Sequence, residues 1–394
     1  MIILSWGDLV GNQKYPGAAQ LDTPENVRIA VHTWKTKGVD KVLFRVDDFR
    51  YMLFAEINAP AGSNHATWAD ATRKAMANGI LKAALDAAKA EGIEIQMWIS
   101  IFDEGCPPSV FYNDSASFPW QTRFTRDHPE YLAHDRSANA SVRKYHWGVP
   151  ECAYPEVRAH FLEEIRAFAD HHDFAGVFLS IRSHSPPPEY ADQFGFNEPV
   201  RAEYLKRHGV DILRQDFDLE KWRELRGEYL TTLLREVRAH LKSRGLKLSV
   251  GGAQGEHIGP PLGNMQIQWR TWVAEGIIDE LVVGHHTLER ATYPNRWQRT
   301  WGYVQNQDAG IGLPPLKQAL RENYGPLCRA HNVKLYVDIP LSNYNRTYTD
   351  RTLGTGTETS AADAQFATEL RTLPELTGII VDGRSLSVPD PYGR

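Results

Sequence analysis

The chain has 394 residues, of which 42% are hydrophobic and 24% are charged, and its formal net charge is −5 with a pI near 6.3. This composition predicts a folded chain with a sizeable core and excludes extensive disorder. No block of Lys and Arg stands out against the negative net charge, so nucleic acid is not expected as a partner. No apolar run reaches the roughly 18 residues of a membrane-spanning helix, so a membrane partner is not expected either.

The three cysteines, Cys106, Cys152 and Cys328, are far apart and odd in number. Their spacing argues against a disulfide framework and against a paired zinc-binding motif. No signal peptide is recognisable because strand-like sequence starts at Ile2, although a chain that had been trimmed would lack one as well. The compartment therefore stays open between the cytoplasm and an exported location, and the oligomeric state stays open too.

Short β-branched apolar segments recur along the chain, and most are followed by a long polar stretch and then by a helical pattern. They are Ile2–Trp6, Lys41–Val46, Ile93–Ser100, Gly176–Ile181, Lys247–Val250, Glu280–Val283, Lys334–Val337 and Gly378–Val381. This alternation predicts parallel strands joined by helices. No Ser/Gly linker, internal repeat or low-complexity tract interrupts it. We therefore predict an α/β fold, a single (β/α)8 TIM barrel over residues 1–394, rather than two domains.

Helix candidates lie between these strands, and the first starts at a capping Asp22-Thr23 pair followed by Pro24. They are Asn26–Lys37, Thr67–Ala90, Pro155–His171, Leu219–Ser243, Gln266–Glu275, Pro315–His331 and Ser360–Leu370. In the second candidate an apolar stripe at helical spacing predicts the face that packs on the barrel. The stripe consists of Ala71, Ala75, Ile80, Leu81, Ala84, Leu85 and Ala88.

The two ends of the predicted barrel differ in the length of their connections. Helix-to-strand links such as Glu91-Gly92 take a few residues, whereas strand-to-helix links are long. The long ones are Asp47–Ala66, Ile101–Tyr154, Arg182–Asn197, Gly251–Met265, Gly284–Leu313 and Asp338–Thr359. In such barrels the loops after the strands build the active site, so the sequence predicts a site at the C-terminal ends of the strands.

Several motifs in the middle of the chain follow one another in a recognisable order. They are His128-Pro129-Glu130-Tyr131-Leu132-Ala133, Trp147-Gly148-Val149-Pro150, Pro155-Glu156-Val157-Arg158 and Phe174-Ala175-Gly176-Val177-Phe178-Leu179. This order resembles the family-10-like glycoside hydrolase barrels of bacteria, which carry an HPEWL segment, a turn before a PEVR helix and a DGIHFD-type fourth strand. The segment 268–279 is similar to that family's tryptophan-bearing helix before strand six. The resemblance implies a glycosidase with a carbohydrate substrate, and polysaccharide degradation.

The chain departs from that family at the end of strand four, where a carboxylate is usual and this sequence reads Leu179-Ser180-Ile181-Arg182-Ser183-His184. Arg182 and His184 alternate, so on extended backbone both point to one side. Arg182 could clamp a carboxylate or sulfate of an acidic glycan, and His184 could transfer a proton. A lyase acting on a uronic-acid polymer is therefore a second interpretation, and a carbohydrate-binding barrel without activity is a third.

Glycoside cleavage generally needs two carboxyl groups on opposite sides of the bond. Asp338, at the end of strand seven, is the predicted nucleophile by analogy with other barrel glycosidases. Glu104 is the predicted proton donor, and its neighbour Asp103 is a further catalytic candidate. The alternative for Asp338 is an ion pair, and the alternative for the Asp103-Glu104 pair is a loop-capping role.

The remaining candidates are predicted to bind the sugar. Asp48 lies beside Arg45 and Arg50 and suits hydrogen bonding to hydroxyls, with a plain salt bridge as the alternative. Arg45 is itself a sugar-binding candidate. Glu256 beyond strand five, Asp382 at the end of strand eight, His286 and Arg182 complete the polar set.

Aromatic side chains in and near the long loops are candidates for stacking on sugar rings. The predicted set is Trp6, Trp98, Trp147 and Trp301, and Trp98 could instead fill the barrel. His285 and His286 do not indicate a metal site because adjacent residues on an extended segment point oppositely and no third ligand is suitably spaced. We therefore expect no metal and no cofactor.

Overall fold

The protein is described by a computed structural model over residues 1–5, 21, 23–46, 73–106, 120–140, 147–181, 183, 188–259, 262–285, 314–338 and 368–382. Within these ranges eight parallel strands close into a barrel in chain order, with the last strand beside the first. The strands are β1 (Ile2–Ser5), β2 (Lys41–Arg45), β3 (Glu94–Ser100), β4 (Gly176–Ser180), β5 (Lys247–Gly252), β6 (Glu280–Val283), β7 (Lys334–Asp338) and β8 (Gly378–Asp382). The predicted (β/α)8 barrel is confirmed, and every predicted strand lies within two residues of its observed bounds.

Helices cover the outside of the barrel. They are α1 (Pro24–Thr36), α2 (Ile80–Glu91), α3 (Arg123–Asp127), α4 (Pro155–Ala169), α5 (Glu198–His208), α6 (Leu219–Ser243), α7 (Trp269–Ala274), α8 (Leu316–Ala319) and α9 (Gly325–Ala330). A 3-10 turn, Pro129–Tyr131, follows α3, and a π-helical turn, Leu320–Tyr324, joins α8 to α9. Two short hairpins pair Gly105–Cys106 with Trp120–Gln121 and His257–Gly259 with Gly263–Gln266. In the described ranges, no helix combines the length and apolar character needed to cross a membrane.

One helix prediction needs correction, and the observed helix α5 has no prediction. The predicted helix Thr67–Ala90 is interrupted where Gly79 adopts a left-handed φ of 70°, and α2 starts only at Ile80. Its apolar stripe is nevertheless buried from Ala75 to Ala88. The helix α5 was not predicted, because only Val200 and Tyr204 on it are buried and the apolar period is correspondingly faint.

Alternate side chains along the strands fill the inside of the barrel. An apolar interior cluster occupies its middle and consists of Leu43, Trp98, Phe178, Val282, Tyr336 and Ile380. Towards the N-terminal ends of the strands lies a polar plug, which we define as Lys41, Glu94, Gln96, Lys247, Ser249 and Glu280. Glu280 accepts hydrogen bonds from Gln96 Nε2 at 3.0 Å and Ser249 Oγ at 2.8 Å, and pairs with Lys41. The polar plug and the apolar interior cluster fill the barrel from the N-terminal ends of the strands to its middle. A catalytic site can therefore lie only at the C-terminal ends.

Candidate functional site

A chain of three hydrogen-bonded side chains crosses the C-terminal end of the barrel. Ser180 Oγ lies 2.7 Å from His285 Nε2, and His285 Nδ1 lies 2.6 Å from Asp338 Oδ2. Ser180 ends β4, His285 follows β6 and Asp338 ends β7, so three strands contribute one residue each. When Nδ1 of the imidazole donates to the carboxylate, Nε2 is free to accept the hydroxyl proton of Ser180.

The imidazole of His285 is fixed by aromatic rings beneath it. Its centroid lies 5.0 Å from that of Phe178 and 5.7 Å from that of Trp98, both in edge-to-face geometry. These rings belong to the apolar interior cluster, so the top of that cluster is the floor of the site. Asp338 is only 8% exposed, and its carboxylate therefore has a fixed orientation at the barrel mouth.

A charged pair lies on the other side of Trp98. Arg45 Nη2 donates to Asp103 Oδ2 at 3.1 Å, and the Arg45 guanidinium lies over the Trp98 ring at 5.3 Å from its centroid. Asp103 is fully buried. Four residues singled out from the sequence, Asp338, Asp103, Arg45 and Trp98, are thus connected through contacts at one end of the barrel.

Trp98 differs from its predicted role as a sugar-stacking platform. It is 3% exposed, with Arg45 over the ring and Phe178 and His285 at its edges. No open face remains for a sugar ring, so Trp98 fills the barrel, which was the alternative drawn from its position within a strand.

Glu104 directly follows Asp103, but its side chain contacts α4. Its carboxylate is fully buried against α4, where Oε2 lies 3.8 Å from His160 Nε2. Trp147 lies beside Gly105, the residue after Glu104, because a Cβ built on Gly105 would come within 2.9 Å of the Trp147 indole. The contacts of Glu104 thus place it beside α4, whereas those of Asp338 are with His285.

Glu256 also lies apart from the barrel mouth. Its Oε1 accepts hydrogen bonds from Trp269 Nε1 at 3.2 Å and Arg270 Nη2 at 3.0 Å, which join the hairpin after β5 to α7. Asp382 is the last residue of β8, paired with Ile3, and its side chain lies outside the described part of the chain. Also outside it are Trp6, Asp48, Arg182, His184, His286 and Trp301.

Sequence reasoning missed Ser180 and His285 as members of the site. Ser180 lies in the segment where the glycoside hydrolases that the sequence resembles carry an acid. A serine at that strand end was the available signal. His285 was considered only as half of a histidine pair, and His286 was preferred. The signal that could have separated them is distance from the strand, because His285 comes two residues after the end of β6.

Cys152 and Cys328, the cysteines whose side chains are described, offer no thiolate for the chemistry. Cys152 and Cys328 are free and buried. Burial raises the pKa of the Cys152 thiol far above its ordinary value and raises the pKa of Cys328 to about 12. Both thiols are therefore protonated at neutral pH and serve packing.

The fold is similar to that of several solved carbohydrate-active enzymes. The glycoside hydrolase domain of PgaB (BpsB) from Bordetella bronchiseptica superposes with a TM-score of 0.54 at 11% identity, over 100% of this chain and 96% of that one. The catalytic domain of the β-amylase from Paenibacillus polymyxa gives 0.52 at 12% identity, over 94% and 92%. The β-galactosidase from the psychrophilic Marinomonas ef1 gives 0.53 at 10% identity over 96% of this chain, which spans about half, 53%, of that enzyme.

Identities this low show a shared (β/α)8-barrel fold and nothing finer. No protein-family profile matches the sequence, and no curated protein matches it either.

Proposed function

We propose that this chain is a glycoside hydrolase that cleaves an O-glycosidic bond in an oligo- or polysaccharide. The observation that carries the proposal is the Asp338–His285 hydrogen bond of 2.6 Å at the end of β7. It presents an oriented carboxylate at the mouth of a barrel whose fold is that of glycoside hydrolases. Asp338 attacks the anomeric carbon, or activates the water that does so.

The second carboxyl group of the proposed mechanism is Asp103 rather than Glu104. Asp103 is connected to the barrel interior through Arg45 and Trp98, whereas Glu104 faces α4. Protonation of the leaving oxygen by Asp103 requires that its ion pair with Arg45 opens and that the carboxylate takes up a proton from solvent before the bond is cleaved. Arg45 can then bind a sugar hydroxyl or an acidic substituent.

The roles of Asp338 and Asp103 are tested by comparing two kinds of substrate, natural oligosaccharides and glycosides with an activated leaving group. We expect Asp338→Asn to lower turnover of every glycoside by at least roughly a thousandfold, because the attacking group is lost. Asp103→Asn should lower turnover of natural oligosaccharides by roughly 10²–10⁴-fold and spare dinitrophenyl glycosides, whose leaving group needs no proton. The measurement is kcat/KM for each pair of substrates.

Asp86→Asn is the matched control, because Asp86 is an exposed acid on α2 that pairs with Lys82. Its activity should equal that of the wild type. Full activity of Asp338→Asn would refute the assignment of Asp338. Glycan binding without turnover across a broad panel would favour the non-catalytic interpretation, and an unsaturated, ultraviolet-absorbing product from a uronic-acid polymer would favour the lyase.

Ester hydrolysis is a second candidate function, favoured by the Ser180–His285–Asp338 chain. Its residue types and its 2.7 and 2.6 Å distances are those of an arrangement in which serine attacks an acyl carbon. It ranks second because Ser180 is fully buried on the inner wall. Nitrophenyl-ester hydrolysis by the wild type that is lost in Ser180→Ala, with no turnover of any glycoside by the wild type, would reverse this order.

A further inference from the structure

Two carboxylates and one imidazole meet beside the loop that follows β3. His160 Nε2 lies 3.4 Å from Glu164 Oε1 and 3.8 Å from Glu104 Oε2. One ligand atom from each residue lies within 4.8 Å of the other two. Both carboxylates are buried and the His160 side chain is 15% exposed, so the group is enclosed by protein with one edge near solvent.

These three residues are positioned by two independent parts of the chain. His160 and Glu164 are one turn apart on α4 and therefore share a face of the helix. The imidazole stacks on Phe124 with the ring centroids 3.9 Å apart and the planes within 2°. The Glu104 carbonyl accepts from Thr122 N at 3.0 Å and Thr125 Oγ1 at 3.3 Å, which fixes the backbone that carries the third group.

Such a set has the chemistry of a cation site. Bringing two carboxylates together away from water is unfavourable, and a divalent cation between them offsets the cost. Oxygen and imidazole nitrogen ligands suit Zn²⁺, Mn²⁺ and Fe²⁺, and three protein ligands leave positions for water.

We propose that Glu104, His160 and Glu164 bind one divalent transition-metal ion. The ion joins α4 to the loop that carries Asp103, the residue directly before Glu104. Its place outside the Ser180–His285–Asp338 chain gives it a structural role in holding that loop.

Calorimetric titration of tag-free, chelator-treated protein with ZnCl₂ and MnCl₂ tests the proposal. We expect one Zn²⁺ per chain, weaker Mn²⁺ binding, and a Tm that rises by about 5 °C at saturating zinc. Zinc-edge X-ray absorption should show oxygen and nitrogen ligands at about 2.0–2.1 Å and no sulfur at about 2.3 Å, which excludes binding at a cysteine.

Glu164→Gln and His160→Gln should each weaken zinc binding by at least about tenfold and remove the rise in Tm. Glu163→Gln is the matched control, because it makes the same chemical change one residue away on the exposed face of α4. Zinc affinity that is equal in wild type and Glu164→Gln would overturn the proposal, as would a wild type that binds neither ion.

Discussion

Gly251 has no side chain at the point where Phe178 and His285 come together. A Cβ built on Gly251 would lie 2.5 Å from Phe178 Cζ and 3.1 Å from His285 Cδ2. The first distance is far below van der Waals contact, and both rings are held by neighbours, so a methyl group has no space here. The orientation of His285, and through it that of Asp338, depends on this glycine.

We expect Gly251→Ala to lower the free energy of unfolding by about 1–3 kcal/mol and to reduce glycoside turnover, because it pushes the imidazole off its aromatic floor. Denaturant unfolding and kcat measure the two effects. The neighbouring Gly252→Ala is the control, since its Cβ would meet nothing closer than Ile181 Cδ1 at 3.5 Å. Equal stability and equal activity of both variants would show that His285 does not depend on Gly251.

At the scale of single residues, the sequence could predict where the site lies but not the direction in which each side chain points. Asp103 and Glu104 are adjacent acids after the same strand, and only the folded loop sends one to Arg45 and the other to His160. Side-chain alternation holds along a strand and is lost beyond its end. For the same reason side-chain alternation does not separate His285 from His286, whereas the shorter distance from the end of β6 favours His285.

Among the elements, four strands are joined at their N-terminal ends by the polar plug. Lys41 on β2 contacts Glu94 on β3 at 2.9 Å and also pairs with Glu280 on β6, while Lys247 on β5 pairs with Glu94. Burial alone raises the pKa of Glu94, but hydrogen bonds from Lys247 and Lys41 outweigh it and lower the pKa from 4.5 to about 2. The plug therefore stabilises the barrel through a charged carboxylate.

A pKa that is lower in the folded than in the unfolded chain gives stability that is complete above about pH 4.5 and is lost as the pH falls towards 2. We expect Glu94→Gln to destabilise the protein by on the order of 2 kcal/mol at pH 6 and by much less near pH 2.5. Urea midpoints at both pH values measure this, with Glu163→Gln as the exposed control. A deficit that is the same at both pH values would contradict the charged role of Glu94.

The strands were predictable and one helix was not, for a physical reason. Strands buried on both faces appear as continuous apolar runs, so β6 was predicted to the residue. The helix α5 instead packs through Val200 and Tyr204 in a separate small cluster around Trp222. Two buried positions in 11 residues leave no periodic pattern to find.

At the scale of the whole molecule, one hydrophobic cluster runs from Ile2 in β1 to Ile379 in β8 and contacts both the strands and the helices. We propose on this basis that residues 1–394 form one barrel domain. The seam between β1 and β8 has two paired positions, Ile2–Val381 and Ile3–Asp382, whereas β3 and β4 pair at five.

If the chain is one domain with a weak seam between β1 and β8, two results are expected. Scanning calorimetry should give one cooperative transition, because the core is continuous. Amide exchange should be faster in peptides that cover residues 1–5 and 378–382 than in those covering 94–100 and 176–180, because fewer ladder hydrogen bonds hold the seam. Two separated calorimetric transitions would argue for two domains, and uniform exchange would argue against a weak seam.

The contact between Lys41 and Glu280 also orders the events of biosynthesis. The two residues are 239 positions apart, so the ribosome has made most of the chain before this buried lysine can meet its carboxylate. Before β6 has been made, Glu94 on β3 is the carboxylate of the polar plug with which Lys41 can pair. The polar plug therefore cannot be complete until β6 has been made and has docked between β5 and β7.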